Sequence, residues 1–519
     1  MYSSIISNFK TLSTEEDNNF VNHLIQTKYL KRLTNSESDI VFGSKGSGKT
    51  ALNTALAKFN KETYLNTYIL NLNSLSFNRL LNNIQELEYI IKEDKFKISR
   101  IAWKNTLLNA ALFSLSEIND DLEKKNAIIN VLNEDGFIKG DKDLKKSDEK
   151  VNIFLEKINN FLDKSPFSEE SLSSFYSSEI NSSIEEFPLN KNTRNLLNSL
   201  CKDVYSKNKK ILVCIDGLDS IADHSYNSRN VIFTGLIDAI YHLRLDKSIS
   251  NAFIFKGFFP QELTIDIDMK IWDSDKHINN THFISWNKKS LQDFVLKRLF
   301  RYSSNNSNKF DDVWKTLFPE KIQNNSYNVE ENTFDYLIRH TLYRPRQLQQ
   351  HIYEIFKNWI EAENSEMIHP NFIPKIVSLT NKTLSRKIAE QLSFIYPNII
   401  VFLKSFNNES TVITFKDFKT RISKKLLNSY DTDKDINTIV DELYLFGIFG
   451  IEKDKNGPNF KNKTKEFYFS FVNTNDNHSI SQTINEESII GISPMLREFC
   501  NMKKDNKYII KPICINNYY

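Results

Sequence analysis

Glycine and proline are scarce in this chain, at 12 and 11 of 519 residues. So few breakers exclude a collagen-like or linker-dominated protein and favour long helices. Cysteine is scarcer still. Cys201, Cys214, Cys500 and Cys514 form no C-x-x-C pair, which argues against a disulfide frame or a zinc site and fits reduced thiols in a cytosolic protein. No apolar run approaches the roughly 18 residues that spanning a membrane needs. The opening segment MYSSIISNFK has neither a charged start nor a long apolar stretch, so no signal peptide is read there. The expectation is a cytoplasmic protein with no membrane partner. Excess charge is also missing: Lys+Arg 68 against Asp+Glu 65 leaves +3. Any basic surface must therefore be local.

What is present is a globular composition, 40% hydrophobic and 26% charged, on a chain long enough for two to four domains. Residues 1–38 read as short amphipathic helices. DIVFG (39–43) is a short buried strand entering a glycine-rich turn and then a helix. TYILNLNSL (67–75) supplies a second strand. KKILVCIDGLD (209–219) is an unbroken apolar strand ending in acids, as expected for a central parallel strand covered on both faces. NAFIFKGFF (251–259) and THFISW (281–286) add two more. Strands alternating with helices predict a three-layer α/β core with a parallel sheet.

The expected domains are an N-terminal helical segment (1–35), the core (36–300) with a helical insertion (76–200), a helical lid and linker (301–395), and a winged-helix-like domain with tail (396–519). The pattern from 288 to 395 reads as helical throughout. Within the insertion, RIAWKNTLLNAALFSL (100–115) reads as an amphipathic stripe that packs into a core.

GSKGSGKT matches G-x-x-x-x-G-K-[ST] without a mismatch, as Gly43, Ser44, Lys45, Gly46, Ser47, Gly48, Lys49 and Thr50. Such glycines let the backbone wrap a phosphate at a helix N-terminus, where free N–H groups and the helix dipole favour anions. Lys49 is expected to reach the β- and γ-phosphates and the Thr50 hydroxyl to ligate Mg²⁺. Asp216, closing the strand ILVCID, is the second expected Mg²⁺ ligand. Asp219 is the candidate for polarising an attacking water. In TLYRPRQLQQ, Arg344, Pro345 and Arg346 open a helix, and Arg346 either touches a γ-phosphate or belongs to a solvated arginine pair. Lys256, after FIF, stands where a polar sensor could sit. No guanine-reading N-K-x-D follows, which leans towards ATP as the nucleotide. The histidines show no H-E-x-x-H or zinc spacing, and no Ser-His-Asp or nuclease-like carboxylate cluster stands out.

Together FGSKGSGKTAL, ILVCIDGLD, FISWNKKSLQDFVLKRL, YRPRQLQQ and the terminal unit resemble bacterial P-loop ATPases of the AAA+/STAND group, close to the origin-recognition type. The resemblance spans roughly residues 30–470, and only the two phosphate-site motifs are specific. It implies an ATPase acting as a nucleotide-controlled switch or assembly factor, a homo-oligomer, an effector protein partner and a role in phage defence. AAA+ motors usually carry Asp-Glu at the acidic strand end, whereas Gly217 stands here in the glutamate's place. The D-G-L-D form looks more like STAND switches with slow turnover. Two other readings stay open: a DNA-remodelling or loading ATPase, and a regulatory module that holds nucleotide without turnover. Arg229 and Arg244 are candidate arginine fingers.

In the C-terminal unit, FKDFKTRISKKLL (415–427), DINTIVDELYLFGIF (435–449) and a ribbon with the basic loop KDKNGPNFKNKTK (453–465) read as a winged helix. Lys453, Lys455, Lys461, Lys463 and Lys465 would lie on the wing and could meet phosphates. The groove-facing helix instead gathers Asp431, Asp433, Asp435, Asp441 and Glu442, with Lys434 the nearby base. Any DNA contact is therefore expected through the wing and without sequence specificity. The alternative is a wing that docks protein or stabilises an oligomer.

Overall fold

The computed structural model describes the chain apart from residues 72–94, 145–190, 219–225, 265–279, 300–308, 428–434, 454–463, 472–479, 514–519 and several stretches of one to four residues. The described residues divide into two compact units. One comprises Thr27–Phe42 and Lys49–His282, and the other Met1–Gln26, Gly43–Gly48 and Phe283–Tyr519.

The first unit is built on a parallel sheet of β1 (Ile40–Gly43), β2 (Tyr64–Asn71), β5 (Lys210–Asp216), β6 (Phe253–Pro260) and β7 (Thr281–Phe283), in the order β2-β5-β6-β1-β7. A two-rung hairpin, β3 (Ile138–Lys139) with β4 (Asp143–Leu144), stands outside that sheet. Every residue from Ile211 to Asp216 is buried, so both faces of β5 are covered. That burial is why KILVCID reads as a continuous apolar run and not as an alternation. The helices Lys49–Phe59 and Lys95–Ile118 both pack on β2 and β5, and Tyr226–Leu245 packs on β6.

The helix Lys95–Ile118 departs from the amphipathic stripe expected of it. Burial runs round all its sides, from Ile98 to Ser116, and takes in Asn105, Thr106 and Asn109. Its principal partner is the helix Tyr226–Leu245. There Trp103, with no exposed surface, donates its indole N–H to the Ile232 carbonyl at 3.1 Å. A helix apolar on one face covers a surface, whereas one buried all round is a layer of the interior.

In the second unit, the helix Pro345–Glu361 packs against Tyr2–Lys10 and against Phe372–Ser393. Their shared core is aromatic, with Phe9, Trp314, Phe318, Phe334 and Phe356. The helix Phe372–Ser393 joins this core to the next one. Ile373, Ile376 and Val377 pack into the first, and Leu384, Ile388, Ala389 and Leu392 into the second.

The segment 288–395 is not helical throughout. An antiparallel hairpin, β8 (Lys321–Asn324) with β9 (Val329–Asn332), interrupts it. Asn328 at φ 50° takes the left-handed conformation of the turn, which asparagine tolerates better than most residues. Glu331 of β9 then receives Arg339 through two N–H donors, at 2.9 and 3.1 Å.

The C-terminal core collects the helices Ile399–Lys404, Phe415–Lys425 and Ile436–Leu445 under a second five-stranded sheet. Its strands are β10 (Val412–Thr414), β11 (Phe449–Glu452), β12 (Thr464–Tyr468), β13 (Ile489–Ile492) and β14 (Ile509–Ile513). The expected ribbon is present, because β11 and β12 pair antiparallel. It is not the whole sheet, however. β13 inserts between β10 and β11, and β14 runs parallel to β12 on the outside, placing Pro512 in an edge strand.

Candidate nucleotide site

β1 ends at Gly43 and the chain turns through Ser44–Gly48 into the helix Lys49–Phe59. Gly46 at φ 87° and Gly48 at φ 105° occupy backbone conformations that side chains disfavour, so the motif's glycines are what the turn requires. The Ser47 N–H donates to the Ser44 carbonyl at 3.0 Å, tightening the loop. Lys49 is buried at the first position of the helix and Thr50 is half-buried beside it. Lys45 also lies in the turn, with an exposed side chain.

Asp216 closes β5 and is 8% exposed. Both its oxygens are engaged. Oδ1 accepts the Gly217 N–H at 2.8 Å, and Oδ2 accepts from Asn53 Nδ2 at 3.4 Å. Asn53 lies one helical turn after Lys49 and is itself buried. It was not singled out in the sequence, although a lone amide at i+4 from the motif lysine on an otherwise apolar helix face is a usable signal. Gly217 sits at φ 86°. Any side chain at this position would strain that backbone.

Around the turn, Trp286 donates its indole N–H to the Ser47 carbonyl at 2.8 Å, and its ring meets Phe294 edge-on with centroids 6.0 Å apart. The N–H of Arg346 lies 3.5 Å from the Gly46 carbonyl. A Cβ on Gly46 would come within 3.2 Å of the Arg346 Cβ. Arg346 is exposed, at the second position of the helix Pro345–Glu361, while Arg344 is buried as its N-cap. Tyr343 at φ 50° turns the chain into that helix, and Gln347 braces the turn by accepting from the Leu342 N–H at 2.7 Å.

Other sequence candidates fall elsewhere. Asp219 lies outside the described residues, and so does the side chain of Arg229. Arg244 is bound 2.9 Å from Asp39 within its own unit. Lys256, the expected sensor, is fully buried in β6 in register with Cys214 of β5, and its ammonium lies 3.7 Å from Asp39. Burial lowers its pKa, with Asp39 opposing.

In the C-terminal unit the acids of the helix Ile436–Leu445 have structural work. Asp435 caps it by accepting from the Thr438 N–H at 2.7 Å, Asp441 receives the backbone N–H of Ser481 at 2.8 Å and its hydroxyl at 3.0 Å, and Glu442 is buried. Asp431, Asp433 and Lys434 lie outside the described residues, as do the wing lysines Lys455, Lys461 and Lys463. Lys453 pairs with Glu466 at 3.2 Å and Lys465 with Glu452 at 2.7 Å, so each is tied across the ribbon.

These elements make the fold that of a P-loop α/β protein. Residues 289–392 match the family described as the FunZ-associated C-terminal helical domain. That stretch ends one residue short of the end of the helix joining the two cores of the second unit. No curated protein matches the chain. Among solved structures it is similar to the ORC2 protein of Aeropyrum pernix in its ADPNP-ADP complexes, at 11% identity and TM-score 0.34, over 91% of this chain and 89% of that one. It is also similar to a Walker-type ATPase of Pyrococcus abyssi, at 11% identity and TM-score 0.36, over 91% of this chain and 96% of that one. Among the described residues no helix is long and apolar enough to cross a membrane.

Proposed function

We propose that the chain binds ATP with Mg²⁺ through Gly43–Thr50 and hydrolyses it slowly, as a nucleotide-controlled switch or assembly factor. The observation that carries this reading is the turn itself. Its two positive-φ glycines lie between a buried strand and a helix that opens on a buried lysine. The backbone N–H groups of such a turn and the helix dipole suit a polyphosphate.

One hydroxyl, Thr50, and one carboxylate, Asp216, would supply hard oxygen donors of the kind Mg²⁺ takes while keeping several waters. Asp216 fits because the Asn53 amide and the Gly217 N–H fix both its oxygens in place. When bound, the metal would neutralise charge developing on the phosphates. Lys49 would hold the β- and γ-phosphates. Arg346, beside Gly46, would sense the γ-phosphate and transmit its loss to the helix Pro345–Glu361. Asp219 would orient the attacking water.

Gly217 supports the slow-turnover form of this reading, because no carboxylate follows Asp216 directly. It also supports the second reading, a module that holds nucleotide without turnover. The DNA-loading alternative draws less support, since Lys453 and Lys465 are engaged with glutamates. The homo-oligomer, the effector protein partner and the defence role follow from the resemblance to the AAA+/STAND group.

Steady-state ATP turnover with and without duplex DNA, with Lys49→Ala as the blank, tests these readings together. Slow turnover indifferent to DNA and absent in Lys49→Ala is the expected result. Turnover that rises with DNA would favour the loading ATPase, and tight binding with no turnover would favour the regulatory module.

A further inference from the structure

The amino-terminal edge of the parallel sheet carries a hollow of about 250 Å³ that the nucleotide site does not use. Lys210 begins β5, Phe253 begins β6 and Asp39 immediately precedes β1, and all three line it with Arg244 and Ser250. Asp216 ends β5 six residues after Lys210. Lys210 and Asp216 therefore stand about 20 Å apart along that strand at ~3.3 Å per residue, while Lys256, in register with Cys214, lies nearer its Asp216 end.

Arg244 and Lys256 converge here on one carboxylate, and Lys210 stands in the lining beside them. Arg244 Nη1 lies 2.9 Å from Asp39 Oδ2, and Lys256 Nζ lies 3.7 Å from Asp39 Oδ1. Lys210 donates its ammonium to the Ser250 carbonyl at 2.7 Å. Asp39 is the one acidic side chain among the described residues lining the hollow. Of the lining residues, Lys210 and Arg244 set two cations against the single carboxylate of Asp39 in a partly desolvated place, where charge is costly unless paired. Burial lowers the pKa of Lys256 and of Lys210 and raises that of Asp39, with the attraction between the cations and the carboxylate opposing each shift. Arg244, with 40% of its side chain exposed, opens the hollow to solvent.

We propose that this hollow binds a small oxyanion, phosphate either free or as the terminal group of a phosphomonoester, through Lys210 and Arg244, with Asp39 holding Arg244 in place. The volume favours such a ligand, since it falls below the ~300 Å³ at which pockets begin to enclose drug-sized molecules. Asp39 keeps Arg244 and Lys256 convergent. Its carboxylate faces the two lining cations Lys210 and Arg244, so an incoming anion meets a net positive lining.

The experiment is isothermal titration calorimetry on the full chain carrying Lys49→Ala, with inorganic phosphate and, separately, glycerol 3-phosphate. The Lys49→Ala background weakens phosphate capture by the P-loop, so failure of the nucleotide reading does not affect the result. The expected outcome is single-site binding that Lys210→Met and Arg244→Gln each weaken at least about tenfold, the loss of one charge-assisted hydrogen bond, while Arg346→Ala leaves it unchanged. Tighter binding of the ester identifies a phosphomonoester site, and equal or weaker binding identifies a phosphate site. If Arg244→Gln fails to fold, Lys210→Met at the rim decides. Two outcomes would overturn the proposal: no heat from either ligand at millimolar concentration, or binding that Lys210→Met leaves intact.

Discussion

The backbone N–H of Arg346 faces the carbonyl of Gly46 at 3.5 Å, and no side chain separates the arginine from the phosphate-binding turn. A methyl group on Gly46 would touch the Arg346 Cβ at 3.2 Å and would have to hold φ 87°. Gly46→Ala is therefore expected to weaken ATP binding at least about tenfold, from backbone strain of roughly 1–3 kcal/mol. Arg346→Ala leaves the turn intact. It should lower turnover roughly 10²-fold while changing ATP affinity much less, as for a donor that acts mainly on developing charge. Equilibrium binding of a fluorescent ATP analogue beside steady-state turnover separates the two variants. Equal losses of affinity in both would sink the assignment of Arg346.

Trp286 holds the same turn from another element, with its indole N–H on the Ser47 carbonyl at 2.8 Å. Trp286→Phe keeps most of the ring contact with Phe294 and removes the donor. A net loss near 1 kcal/mol, or about fivefold in ATP affinity, is expected. Because the indole touches the loop, wild-type tryptophan emission should also change on adding ATP. A Trp286→Phe chain that binds ATP as tightly as wild type would remove the residue from the site.

Asn53 orients Asp216, so its replacement should act through the metal. Asn53→Asp places a second carboxylate 3.4 Å from the first and should raise the Mg²⁺ concentration needed for half-maximal turnover or shift its pH dependence. Asn53→Ala should weaken the Mg²⁺ requirement's steepness less than Asp216→Ala does. A magnesium titration of turnover in the three variants is the check.

The parts of this fold legible in the sequence were those dictated by local pattern. β1 and β5 could be read because a strand buried on both faces is a short apolar run, and the P-loop because its glycines are demanded by backbone geometry. β13 and β14 escaped notice. IIGI and IIKPI are each four or five residues long, and β13 finds its partners β10 and β11 across dozens of residues. The β8–β9 hairpin was hidden by flanking helices, although NNSYN carried turn chemistry. The place of Asp216 at the end of β5 was readable while its bracing by Asn53 was not, since 163 residues separate them. For Lys256, strand position gave no sign of Asp39, its partner from a distant part of the sequence.

Buried histidine gives the second unit an acid sensitivity. His351 has no exposed surface and meets the His340 carbonyl at 3.2 Å, and burial pushes its pKa down to about 4. The unfolded chain protonates near pH 6.5, while the folded chain resists until about pH 4. Stability is therefore full above pH 6.5 and lost progressively as pH falls towards 4, by roughly 3 kcal/mol. His351→Gln should be less stable at pH 7.5 and show a flatter decline between pH 6.5 and 4. Thermal melts across that range would refute the assignment if both chains fell in parallel.

The ribbon offers the opposite group and the same sign. Burial raises the Glu466 pKa, but hydrogen bonds and charge from Lys511 and Lys453, at 3.0 and 3.2 Å, outweigh it and hold the carboxyl below its usual range. A depressed carboxylate contributes stability above its unfolded pKa and loses it as pH falls through the folded value. Glu466→Gln should therefore lower the melting temperature at pH 7 and converge with wild type near pH 3. The effect should be small, because the pair is partly exposed and screened. The same substitution also takes the Glu466 charge away from Lys453 and Lys511. If these lysines are held away from DNA by Glu466, the variant should bind a random duplex more tightly than wild type at low salt, with a steeper salt dependence. Unchanged affinity in fluorescence anisotropy would mean that this ribbon faces protein or solvent and does not face DNA.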